Sequence, residues 1–248
     1  MMRNLDLVIT MAGSGTRFYN AGFNLPKYQI EANGKTLFEW SLMSLKGFMK
    51  HVSNTIFIVQ KKDDSANFIT HYCNNLGISP FTIIEIDGLT DGQATTAMKA
   101  KPFWNKDNSI LIFNIDTYIE ECEMNFTQIK GDGFIPCFKG TGDHFSFVRV
   151  NEDLKALKVK EKERISEFCT VGAYYFKTCK LYEDLYYEYY GDGDNLIAEK
   201  YIAPLYNLLI EEGKDVYISE IDKDKVHVLG TPEELEIFLN ENSKEFIR

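Results

Sequence analysis

The stretch that most restricts what this chain can become lies at residues 4–36, NLDLVITMAGSGTRFYNAGFNLPKYQIEANGKT. An apolar run from Leu5 to Ile9 leads directly into Met11-Ala12-Gly13-Ser14-Gly15-Thr16-Arg17. Glycines with Ser and Thr between a strand and a helix let bare backbone N–H groups reach an anion, because glycine permits positive φ and close approach. Ala12, Gly13, Ser14, Gly15 and Thr16 are therefore read as an anion cradle. Arg17 adds a planar, permanently charged fork, and Pro26-Lys27 brings back a second cation on a backbone that proline fixes. A row of amides plus two cations suits a triphosphate.

Three other readings compete for the glycine loop. A Walker loop requires G-x-x-x-x-G-K-[ST], whereas Gly13 and Gly15 are followed by Thr16-Arg17. The dinucleotide fingerprint G-x-G-x-x-G fails at its third glycine, where Phe18 stands. An ordinary tight strand-to-helix turn also fits the loop taken by itself.

Apolar runs at 5–10, 54–60, 81–86 and 109–115 predict strands, and 36–48, 64–76 and 93–101 predict helices. Their alternation implies a largely parallel sheet with right-handed crossovers and ligands at the carboxyl ends of the strands. Past Asp116 the pattern becomes shorter and alternating, at 133–138, 144–150, 154–160 and 170–176. These strands are expected to extend the sheet with antiparallel hairpins covering an acceptor. The expectation is one domain over 1–248, with 1–120 as a nucleotide-binding half and 121–248 as an acceptor-binding half.

The chain has 27 basic and 37 acidic side chains, net charge −10, which disfavours nucleic acid or an anionic membrane as partner. A phosphate ligand must be held by locally placed cations. No apolar run approaches the ~20 residues of a membrane helix, and a strand begins within a few residues of the start, so a cytoplasmic location is expected. Five scattered cysteines without C-x-x-C indicate reduced, mostly buried thiols.

Further candidates follow from the strand ends. The third strand leads into Asp87-Gly-Leu-Thr-Asp-Gly92-Gln93-Ala94, a polar loop that can read a base edge through backbone and amide. Asp87 can accept from the cytosine amino group but would meet the O4 of uracil acceptor to acceptor, which favours CTP. Asp116 leaves a buried strand beside the phosphate cradle, where Mg2+ would find one carboxylate plus phosphate oxygens. Gly172 inside a strand marks a close backbone approach. His144 and Glu199 are weaker candidates for the acceptor side. Lys35, His51 and His71 read as surface residues. Tyr182, Tyr186, Tyr187, Tyr189 and Tyr190 crowd one helix; such a cluster favours core or a homo-oligomer contact over a ligand box.

Taken together, Gly13-x-Gly15-Thr16-Arg17, Pro26-Lys27 and Gly34-Lys35 opening a helix resemble the signature of the sugar-phosphate nucleotidyltransferases, the NDP-sugar pyrophosphorylases and their phosphocholine cytidylyltransferase relatives. The resemblance extends to Gly230-Thr-Pro-Glu-Glu-Leu235 and so covers nearly the whole chain. It implies a Rossmann-like α/β fold, a mixed and mainly parallel sheet with helices on both sides. It also implies that a phosphate-ester oxygen attacks the α-phosphorus of a nucleoside triphosphate and displaces pyrophosphate, in making surface-polysaccharide precursors. By the resemblance, Gly13, Gly15 and Arg17 hold phosphates, Lys27 lies on the α-phosphate, Asp116 binds Mg2+, and Gly92 and Gln93 contact the base. Lys162, Thr170 and Gly172 would face the acceptor by the same resemblance, with Glu199 beside them as a candidate from its own place at the start of an amphipathic segment.

The chain departs from the family pattern at three places. Glu163 follows Lys162 where the family has proline, and Thr170 replaces an asparagine. Val228 stands where the family has a second metal-binding aspartate, leaving Asp222, Asp224 or His227 to supply a ligand, or Asp116 to act alone. The departures leave open a non-sugar acceptor such as phosphocholine or a phosphorylated amino-acid derivative, and a catalytically inactive nucleotide-binding module.

Overall fold

The computed structural model describes residues 4–191 and 199–243. Ten strands form the large sheet: β1 Leu5–Thr10, β2 Val52–Gln60, β3 Phe81–Ile86, β4 Ser109–Asn114, β5 Gly133–Lys139, β6 Ser146–Val150, β7 Ala156–Glu161, β8 Phe168–Thr170, β9 Ala173–Phe176 and β10 Val216–Ile221. Their order is β7-β6-β8-β5-β9-β4-β1-β2-β3, with β10 pairing β5. β1 runs parallel to β2 and β4, and β2 parallel to β3. This is the expected α/β fold with a mixed, mainly parallel sheet in its first half.

β1 is buried along nearly its whole length, so Leu5, Leu7 and Ile9 face one side and Val8 the other, as the period of two requires. One face packs beneath helices Leu37–Met43 and Ala66–Leu76 through Phe38, Leu42, Ile69 and Cys73. The other packs beneath Gln93–Met98, Cys179–Tyr190 and Tyr206–Glu211 through Ala94, Tyr182, Leu185 and Leu209. Helices therefore cover both faces. A third apolar cluster joins the C-terminal helix Pro232–Ser243 to the start of the chain, through Leu235 and Phe238 against Phe18, Ile30 and Leu37.

The strand order reverses at β1: β2 lies on one side and β4 on the other. A crevice opens beyond the carboxyl ends of two parallel strands at such a point. The glycine loop and Asp116 are the segments that leave those two ends.

Three expectations change in detail. The helix expected over 36–48 is α-helical only at Leu37–Met43, begun by a capping box between Thr36 and Glu39. Past Met43 the chain turns, and Gly47 is pressed against Met124 and Asn125, where a Cβ would come 2.4 Å from a carbonyl oxygen. The strand expected at 170–176 is two strands, β8 and β9, broken at Val171-Gly172. The second half holds the expected β6–β7 hairpin, but it also adds β10 parallel to β5. Among the described residues no helix is long and apolar enough to cross a membrane.

Candidate active site

A cavity of about 640 Å3 opens at the reversal point. Ala12, Gly13, Ser14 and Arg17 form one wall. The carbonyls of Ala12 and Gly13 accept from the Gln60 amide at 3.0 and 2.9 Å. With those carbonyls pinned to β2, the loop keeps its path without using the side chains that a ligand would need. Gly15 and Thr16 are not on the wall. Gly15 makes the left-handed turn, φ +65, that starts the helix Thr16–Asn20, and Thr16 bonds Ser14 at 2.8 Å. Arg17 is exposed and has no ion pair among the described residues.

Lys27 follows Pro26 in a single tight turn, held by Tyr28 and Gln29, which bond Ser65 at 2.7 and 3.0 Å. Burial pushes the Tyr28 hydroxyl well above its ordinary range, so it stays a neutral hydrogen-bonding group. The anchoring aims Lys27 at Asp116: Nζ donates to Oδ2 at 2.7 Å, with both side chains roughly three-quarters buried. A largely buried pair of this kind is neutral as a unit and keeps an ammonium and a carboxylate together in the cavity.

Val228 lies on the cavity wall, paired with Thr117 in a short ladder, and brings no ligand atom. Asp222, Asp224 and His227 are not on the wall. Asp222 caps its own turn by accepting from the Asp224 amide, and His227 stacks on Tyr118 and approaches Glu120 and Glu241. Glu234 is a carboxylate that sequence reasoning missed. It lines the cavity and accepts from the Gly230 amide at 3.0 Å. A Cβ built on Gly230 would sit 3.4 Å from the Glu234 carboxylate and 3.6 Å from that of Asp116. Two carboxylates thus approach the same point beside Gly230, which is a donor pair that fits a divalent cation. Its sequence signal was the capping box, whose Thr231 does accept from the Glu234 amide at 3.2 Å.

The third-strand loop contributes Leu89, Thr90, Asp91, Gly92 and Gln93 to the opposite wall. Asp87 is not among them. It stays at the end of β3 with an exposed carboxylate 3.7 Å from Lys61, because the chain turns at Gly88, φ +87, before reaching the cavity. Asp91 takes the place expected for it. Burial raises the Asp91 pKa, but bonds from Thr95 and Lys200 outweigh it and hold the carboxyl below its usual value. Gln93 spends its amide donors on Thr10, at 3.2 Å, and on Asn114, leaving its carbonyl oxygen as an acceptor.

The acceptor side is built from β6, β7, β8 and the segment 199–201. Lys162, Thr170, Gly172 and Glu199 all line the cavity, as does His144. Lys162 Nζ bonds the Tyr201 hydroxyl and lies 3.6 Å from Glu199. Gly172 has φ +79, and a Cβ there would fall 2.5 Å from the Asn114 amide. Thr170 does not present a free hydroxyl: it shares a hydrogen bond with Tyr174 at 3.1 Å. Tyr174 in turn approaches Ser146, and Ser146 donates to Glu161. Glu161, which the alternating charges around it concealed, lines the cavity with its carboxyl pushed up by burial against the opposing Ser146 bond.

The nucleotidyl transferase family profile matches residues 7–203. A nucleoside-diphosphate-sugar pyrophosphorylase from Vibrio cholerae RC9 is similar at 35% identity and TM-score 0.85, over 94% of this chain and 99% of that one. The fold is also shared with an inositol-1-phosphate CTP transferase from T. maritima, at 16% identity and TM-score 0.74, over 92% of this chain and 90% of that one. A protein named as a glucose-1-phosphate thymidylyltransferase from Bacillus anthracis matches at 16% identity and TM-score 0.78, over 95% and 94%. No curated protein sequence matches the chain significantly. With its glycine loop, Lys27 and Asp116 at one strand-end crevice and the profile spanning most of its length, the chain belongs to the nucleotidyl transferase family, among the sugar-phosphate nucleotidyltransferases.

Proposed function

We propose that this protein transfers a nucleoside monophosphate from a triphosphate, CTP foremost, to a sugar 1-phosphate with release of pyrophosphate. One observation carries the reading: Lys27 and Asp116, 89 residues apart in sequence, meet at 2.7 Å in a cavity walled by the glycine loop and by Lys162. The cavity thus has cations for a triphosphate on one side and a cation for an acceptor phosphate on the other. The 35%-identical relative is named as a nucleoside-diphosphate-sugar pyrophosphorylase, which supports a sugar phosphate as acceptor.

In this reading an oxygen of the acceptor phosphate forms a bond to the α-phosphorus as the bond to the bridging oxygen of pyrophosphate breaks. The loop amides and Arg17 hold the β and γ phosphates, Lys27 exchanges Asp116 for the α-phosphate, and Lys162 orients the acceptor. Asp116 and Glu234 would hold Mg2+, which when bound adds positive charge against the phosphates. Asp91 and the Gln93 carbonyl both accept hydrogen bonds, so they suit the amino group of cytosine and oppose the O4 of uracil or thymine. This moves the preference for CTP from Asp87 to Asp91.

The test is pyrophosphate release with Mg2+, crossing CTP, UTP, dTTP, ATP and GTP against sugar 1-phosphates and small phosphate esters. The expected result is release that needs CTP and one sugar 1-phosphate together. Equal rates with CTP and UTP would remove the base reading, and release with no sugar phosphate but with phosphocholine would replace the acceptor. Tight triphosphate binding without release across the panel would make the protein a binding module.

A further inference from the structure

Lys200 is one of two charged residues buried below a tenth of their surface among those described, at 5% exposure; Asp6 is the other. A buried ammonium is costly unless it is paired. Its Nζ lies 2.9 Å from the Asp91 carboxylate and 5.8 and 5.7 Å from the rings of Tyr186 and Tyr190. The backbone repeats the contact. Lys200 N donates to Asp91 O at 2.6 Å, and Ala94 N donates to Lys200 O at 3.0 Å. Gly92 is fitted to it as well, since a Cβ there would come 2.3 Å from Lys200 O. The loop Asp91–Ala94 is therefore laid against residue 200 by an ion pair, two backbone bonds and a contact that excludes side chains.

The residues on either side of Lys200 point to the other substrate. Tyr201 bonds Lys162 through its hydroxyl, and Glu199 lies 3.6 Å from the same ammonium. One three-residue segment thus holds the base-side loop with its middle residue and the acceptor-side lysine with its outer two.

The tyrosine row of helix Cys179–Tyr190 supports both ends of this arrangement. Tyr182 donates to Ala94 O at 2.8 Å, Tyr186 shares a bond with Thr95 at 2.8 Å, and Tyr190 donates to Tyr201 O at 2.6 Å. Positions 182, 186 and 190 fall on one helical face, so a single rigid helix carries the loop and the segment together. Tyr187 and Tyr189, off that face, are the exposed members of the cluster.

We propose that Lys200 is a positioning residue that couples the nucleobase loop to the acceptor-binding Lys162. The proposal rests on the transferase reading of that loop and that lysine. A ligand on either side stabilises the shared segment in the arrangement the other ligand needs, so the two bind with positive and reciprocal coupling. Removing the charge of Lys200 loosens both sites without removing any group that touches either substrate.

The experiment is calorimetric binding of an α,β-methylene cytidine triphosphate, with and without sugar 1-phosphate, alongside steady-state rates, for wild type, Lys200→Met and Asp91→Asn. Wild type is expected to bind the analogue about fivefold or more tightly when the acceptor is present. In Lys200→Met that ratio falls to near one, and KM rises severalfold for both substrates while kcat changes less than about threefold. A purely structural role would lower the active fraction and the melting temperature and leave the ratio intact. Asp91→Asn breaks the same pair from its half-exposed end; because Asp91 is itself read as a base contact, its coupling ratio and its KM for the sugar phosphate, not its KM for CTP, decide the matter if Lys200→Met does not fold. A coupling ratio and a sugar-phosphate KM equal to wild type in either folded variant, or in Lys200→Met a KM change for one substrate alone, would overturn the proposal. A wild-type protein that neither binds the analogue nor releases pyrophosphate would instead sink the transferase reading, and the coupling with it.

Discussion

Lys27 has one partner at 2.7 Å, the Asp116 carboxylate, and in the proposed reaction it exchanges that partner for the α-phosphate. Such a contact is worth about 1.5–3 kcal/mol, so Lys27→Ala is expected to lower turnover by more than about tenfold. Undiminished turnover in that variant would take Lys27 out of the mechanism. At this scale the residues that the sequence pointed to and that line the cavity follow strand ends: Gly13, Arg17, Asp116 and, in the acceptor half, Lys162. Asp87 was misplaced because Asp87 and Asp91 share one polar loop, and only the turn at Gly88 decides which carboxylate reaches the cavity. Glu161 was hidden in the run Lys160-Glu161-Lys162, which reads as a solvated strand face until its partner Ser146 is known. Glu234 was hidden because helix capping already accounts for a glutamate there.

Among the elements, the join of β5, β9 and β10 depends on Asp132, which precedes β5. Its carboxylate accepts from Lys177 Nζ at 2.7 Å and its backbone accepts from Lys177 N at 2.9 Å, while its own N–H donates to Asp215 O at 2.7 Å. The Lys177 bond, against some opposing burial, holds the Asp132 carboxyl below its ordinary value of 3.8. A lowered carboxyl adds stability above its unfolded pKa and loses it as pH falls through the folded one. Asp132→Asn is therefore expected to cost on the order of 1 kcal/mol at pH 7, about 2–4 °C in melting temperature. The gap should close as melting is repeated at pH values falling below 3.8; a gap equal at every pH would rule the charge out as its source. The sequence showed the parallel strands β1 to β4 nearly residue for residue: β1 and β4, buried on both faces, read as continuous apolar runs, and the half-buried edge strand β3 is rich in β-branched and aromatic residues. It did not show β10 beside β5, a pairing between residues about 80 apart that no local pattern encodes.

For the molecule as a whole, net charge −10 opposes the approach of a triphosphate. In the proposed reaction, local cations and Mg2+ offset that field. CTP with Mg2+ is expected to raise the melting temperature, by ~2.7 kcal/mol at a hundred times Kd, or about 5–10 °C for a chain of this size. CTP with a chelator should give a clearly smaller shift, and Asp116→Asn should lose the difference. Equal shifts with and without Mg2+ would remove Asp116 from metal binding. The fold was legible at this scale because the strand–helix alternation and the motif order agree. Where the two substrate sides touch was not, since it lies in the seam between β4 and β9, which run antiparallel. At that seam Gly172 is closed to side chains twice over, by its φ of +79 and by Asn114 at 2.5 Å. The position is a dead end for evolution and for directed mutagenesis alike. Descendants of this chain that acquire a new acceptor must do so through neighbouring cavity-lining positions such as 146, 161 and 170. The half that carries the glycine loop can pass between them unaltered.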